Sequence, residues 1–62
     1  MEKPMLQLVG EDGNAFAILG KARHVARESG WPQDEIDEML EEAMSGDYDH
    51  LLQTMMRYFD VN

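Results

Sequence analysis

Asn14-Ala15-Phe16-Ala17-Ile18-Leu19-Gly20-Lys21-Ala22-Arg23-His24-Val25-Ala26-Arg27-Glu28-Ser29-Gly30 is the stretch whose periodicity decides the fold. Ala15, Ile18, Leu19, Ala22, Val25 and Ala26 recur at the three- and four-residue steps that place side chains on one face of an α-helix. Phe16 sits at the edge of that stripe. Asn14 is a residue that caps helix N-termini, and Gly30 suits the left-handed residue that ends a helix. A strand is the competing reading, because Phe16 and Ile18 alternate with Ala15 and Ala17 after a turn-like Asp12-Gly13. The apolar stripe runs on to Ala26 at helical spacing, which favours a helix over 14–29. Gly20 inside it costs about 1 kcal/mol relative to alanine, which suggests close approach of a neighbouring element.

Two further stripes follow. Pro32 is expected at the first position of a second helix over 32–45, with Asp34 and Glu35 in the first turn, where the helix dipole favours anions. Ile36, Met39, Leu40, Ala43 and Met44 form its apolar side, Asp37, Glu38, Glu41 and Glu42 its polar side, and Gly46 its end. Asp47 is expected to cap a third helix over 47–59, whose stripe is Tyr48, Leu51, Leu52, Met55 and Phe59. Arg57 lies near its C-terminus, where a cation is favourable. Before these helices, 1–13 read as an extended arm, Met5–Val9, and a turn, Gly10-Glu11-Asp12-Gly13. After them, Asp60-Val61-Asn62 reads as a short tail. Links of a few residues make consecutive helices neighbours. The expected fold is therefore all-α: one domain over 1–62, a compact three-helix bundle with an extended N-terminal arm.

The order Ser29-Gly30-Trp31, Ile36, Met39-Leu40, Gly46-Asp47, Leu51-Leu52, Met55 resembles ubiquitin-associated (UBA-like) domains. Their loop is Met-Gly-Phe/Tyr, and a Gly-Asp or Gly-Asn opens their third helix. Leu40-Glu41-Glu42-Ala43, Gly46-Asp47 and Met56-Arg57 are similar to the UBA-like N-terminal domain of elongation factor Ts. The likeness covers 22–57 and implies the three-helix fold. Ser29 stands where the pattern has methionine, Leu51 where it has alanine, and the first helix is longer than usual. In general character the chain also looks like small uncharacterised proteins of bacteria and their phages.

Composition narrows the function. Sixty-two residues bury only about 60% of the surface their unfolded chain exposes, so the core is small. With no cysteine, neither disulfide nor thiolate–zinc ties reinforce it. The formal charge of −8 opposes direct binding to nucleic acid. Residues 32–49 carry eight acids and no Lys or Arg, whereas Lys21, Arg23 and Arg27 gather before them. No apolar run reaches the ~20 residues of a membrane span, and the N-terminus lacks a signal-peptide pattern, so a cytoplasmic location is expected.

No catalytic or cofactor signature is present, and no enzyme is expected. The Gly10, Gly13 and Gly20 spacing is not a phosphate loop, and Glu11-Asp12-Gly13-Asn14 lacks calcium-loop spacing. Asp47, Asp49 and His50 form an Asp-x-Asp-His group, for which capping is a simpler role than metal binding. His24 reads as a solvated surface residue beside Lys21 and Arg27. The leading expectation is a protein-interaction module with another protein as partner, contacted through Trp31, Met44, Met56 and Tyr58. Trp31 also suits closure of the core, whereas Met39 and Met55 read as core filling and Met44 and Met56 as stripe-edge residues open to solvent. A homodimer is a further expectation, because the core is small and Met5–Val9 has no evident partner. The alternative function is a nucleic-acid mimic that offers Glu38, Glu41 and Glu42 to a nucleic-acid-binding protein. A metal-responsive domain is the least favoured.

Overall fold

The structure is a computed structural model that describes residues 3–8 and 14–61. Val9, the expected Gly10–Gly13 turn and Asn62 lie outside the described residues. Three helices form the bundle: α1 (Ala15–Glu28), α2 (Gln33–Ala43) and α3 (Tyr48–Tyr58). The all-α expectation holds, with one addition. Met5–Leu6 (β1) pairs in parallel with Asp60–Val61 (β2), Met5 opposite Asp60 and Leu6 opposite Val61. The amide of Asp60 also donates to the carbonyl of Pro4 at 2.9 Å. The segment expected to lack a partner thus has one in the C-terminal tail, and the argument for a homodimer drawn from it falls away.

The helical stripes meet as their spacing requires. Ile18, Ala22 and Ala26 from α1, Ile36, Met39 and Ala43 from α2, and Leu51 and Met55 from α3 are buried together. Leu6 of the arm and Phe59 after α3 complete this core. Phe16 stays outside at 81% exposure, because it lies a third of a turn from the buried stripe. Thr54, the one buried polar side chain among the described residues, donates its hydroxyl to the carbonyl of His50 at 2.8 Å. Its polarity is thereby satisfied inside the helix.

Local chemistry sets each helix end. The side chain of Asn14 accepts from the amide of Phe16 at 2.9 Å, and that of Asp47 from the amide of His50 at 2.9 Å. Pro32 is the N-cap of α2 and not its first residue. Its carbonyl accepts from Glu35 and Ile36, and a helix accommodates proline there because no donor is lost. At the end of α1, Gly30 adopts φ +85°, the amide of Gly30 donates to Arg27 and that of Trp31 to Ala26. This is the Schellman arrangement, and it turns the chain back so that Trp31 lies against the end of the bundle.

Helix α2 ends at Ala43, two residues earlier than expected. Its terminal Glu42 carbonyl is taken by the amide of Ser45 (3.2 Å), the hydroxyl of Ser45 (2.7 Å) and the Nε2 of His50 (3.0 Å). The imidazole reaches this carbonyl by packing over Gly46. A Cβ on Gly46 would lie 2.8 Å from Cβ and Cγ of His50. Gly20 behaves oppositely: among the described residues a Cβ there would meet nothing within 4 Å, and none of them makes the expected close approach. Gly20→Ala should therefore raise stability by about 1 kcal/mol through helix propensity alone. Gly46→Ala should lower it by roughly 1–3 kcal/mol through overpacking against His50. Urea denaturation of the two variants checks both signs.

Candidate functional site

The candidate site begins with the ring of Trp31. Placed by the Gly30 corner, the indole stacks on Phe59 with centroids 5.2 Å apart and planes 6° from parallel. Tyr58 stands beside it, 6.0 Å away and tilted by 49°. Phe59 is buried, whereas Trp31 and Tyr58 are half-buried, so the pair presents an aromatic shelf to solvent with a core ring beneath it. Stacked and tilted ring pairs of this kind contribute about 0.5–1.5 kcal/mol beyond their area, which fixes the shelf in place.

A groove of about 500 Å³ runs along the shelf. Pro4 and Pro32 add apolar walls, and Lys3, Arg57 and Glu35 supply charge at the rim. Lys3 is held there by a 3.2 Å hydrogen bond from its Nζ to the carbonyl of Met56, one of the carbonyls left open at the end of α3. Two of the chain's five cations therefore line this one groove, in a molecule with thirteen acids. The arm–tail ladder brings them together by carrying Lys3 and Pro4 to the last turn of α3.

The other sequence-expected residues lie elsewhere. Met56 is 53% exposed but sits on the opposite flank of α3 from Tyr58, since two residues advance about 200° around a helix. Met44, 59% exposed, caps the C-terminus of α2. Glu38 and Glu41 are exposed on the outward side of α2 together with Asp34 and Asp37. Glu42 departs from that face: its carboxylate lies 2.9 Å from Nε2 of His50, with both side chains partly shielded. The expected set of seven therefore divides into an aromatic groove (Trp31, Tyr58), an acidic helix face (Glu38, Glu41), a structural pair member (Glu42) and two exposed methionines away from the groove (Met44, Met56).

The Asp-x-Asp-His group is dispersed by its own hydrogen bonds. Asp47 caps α3, Asp49 accepts from the side-chain Nε2 of Gln53 at 3.0 Å, and His50 turns to Glu42. Among the described residues no three His, Asp or Glu side chains converge as a metal would need. None of the described helices is long and apolar enough to cross a membrane. His24 pairs with Glu28 at 3.1 Å on the exposed side of α1.

Searches against protein-family models, curated proteins and solved structures found no match to this chain.

Sequence reasoning missed Lys3 and Pro4 as neighbours of Trp31, because no local pattern announces a ladder of two residues, and missed Glu35 and Arg57 because the meeting of α2's first turn with α3's last turn is a tertiary contact. The geometry separates aromatic from methionine contributions to stability. Trp31→Ala, which uncovers Phe59, should cost roughly 1.5–3 kcal/mol, somewhat below a fully buried truncation. Met44→Ser and Met56→Ser should each stay within about 0.5 kcal/mol. Thermal melts followed by circular dichroism read all three.

Proposed function

We propose that this chain is a non-catalytic protein-interaction module and that it grips its partner in the groove beside Trp31 and Tyr58. The observation that carries this reading is the position of Trp31, held at the surface by its stack on Phe59 and flanked by Lys3 and Arg57. Trp, Tyr and Arg are the residues that concentrate binding energy when they surround a small apolar depression. A rigid aromatic shelf also loses little conformational freedom on binding. The chemistry it would recognise is an apolar side chain followed or preceded by a carboxylate for Lys3 and Arg57. Glu35 on the same rim disfavours a ligand with many acids.

The resemblance to UBA-like domains is offered for the fold and brings no partner with it, because fold likeness alone does not carry function. The second reading, mimicry of nucleic acid, draws on the exposed carboxylates of Asp34, Asp37, Glu38 and Glu41, without Glu42.

Tagged protein used to capture partners from its own host distinguishes the two. The groove reading expects Lys3→Glu and Arg57→Glu, checked for native circular dichroism, to lose the captured protein at least about tenfold. It expects Glu38→Lys/Glu41→Lys to retain that protein. The opposite pattern would replace the groove with mimicry by the acidic helix.

A further inference from the structure

The outward face of α1 is unlike the rest of the surface. Phe16 lies there at 81% exposure, and one turn later Gly20 leaves a hollow flanked by Arg23, His24 and Arg27. Among the described residues neither Arg23 nor Arg27 forms an ion pair, and both are exposed. Among the described residues, no carboxylate of α2 is in ion-pair contact with either cation. His24 is already paired with Glu28 at the flank.

The outward face of α2 carries the matching pattern in reverse order. From its C-cap backwards it presents Met44, Glu41, Asp37 and Asp34. Phe16 to Arg23 is a step of seven residues, and so is Met44 to Asp37. Both steps cover about 10 Å of helix and return to nearly the same side. Laid antiparallel, α1 of one copy and α2 of another would set Phe16 against Met44, Arg23 against Asp37 and Arg27 against Asp34. Glu41 would lie over the Gly20 hollow, where among the described residues nothing stands within 4 Å of a Cβ position.

From this complementarity of charge and shape we infer that the outward face of α1 is a docking surface for α2 of a second copy of this chain. The two most exposed large apolar residues of these helices meet in that register, and sulfur–aromatic contact suits them. The net charge of −8 opposes association at long range. That repulsion is screened over about 8 Å at physiological ionic strength, whereas paired charges at contact lie well inside this distance. The copies therefore associate weakly and specifically, through a surface separate from the Trp31 groove.

A charge exchange tests the inference. Arg23→Glu/Arg27→Glu and Asp34→Lys/Asp37→Lys change only exposed positions, and circular dichroism verifies their folding. In sedimentation equilibrium up to millimolar protein, the unmodified chain should self-associate. The variant with the basic face reversed should do so at least about tenfold more weakly. An equimolar mixture of the two variants should associate across the exchanged faces with opposite charges restored. A strictly monomeric unmodified chain would overturn the inference. So would a mixture of the two variants that stays dissociated, or an Arg23→Glu/Arg27→Glu chain that associates as tightly as the unmodified one. None of these outcomes bears on the groove, because Trp31, Lys3 and Arg57 are unchanged in every sample.

Discussion

The packing of Phe59 is the contact on which the rest of this molecule depends. Its amide closes the last turn of α3 by donating to Met55 at 2.8 Å, and its backbone then becomes extended. Its ring enters the core while its face supports Trp31. The next two residues pair with Met5 and Leu6, so a single side chain joins helix end, aromatic shelf and the arm–tail ladder. In a chain of this size the buried set is short enough that each such residue is a large share of the total. Leu6, fully buried, is the arm's own contribution to that set.

A second constraint acts at the opposite corner. His50 belongs to α3 by sequence and to the end of α2 by contact, where it meets both the carbonyl and the carboxylate of Glu42. The stop of α2 is therefore imposed from outside that helix. Gly46 is needed as a gap for the imidazole, since its backbone does not enter the left-handed region. The corner at Gly30 works by a different mechanism, a positive φ that only glycine adopts readily. Two glycines that look equivalent as punctuation thus act through conformational freedom in one case and through absent volume in the other.

Much of the bundle was legible in the sequence because helical periodicity is a local signal. The buried apolar residues of α1, α2 and α3 come from the three expected stripes, Thr54 being the buried residue outside them, and Asn14, Asp47 and Gly30 cap as their types suggest. What was not legible depends on distant partners. Two residues are too few to show a strand alternation, so the pairing of Met5–Leu6 with Asp60–Val61 left no trace in the pattern. The groove inherits that blindness, since Lys3 reaches Trp31 only through the ladder. Trp31 was legible as a ring at the Gly30 corner suited to core closure or to contact, whereas its stack on Phe59 and its place beside Tyr58 depend on tertiary packing. Glu42 was misplaced because a helical wheel cannot know that a histidine eight residues later will cap it.

Amide hydrogen exchange tests the central claim most directly. If Phe59 and the arm–tail ladder close the fold, the amide of Asp60, bonded to the carbonyl of Pro4 at 2.9 Å, opens together with the bundle. Its protection should then match that of the Phe59 and Met55 amides and report global unfolding. An Asp60 amide that exchanges as in a free peptide while those of α3 stay protected would contradict the account. The tail would then be an appendage, and the groove at Trp31 would lose its Lys3 wall.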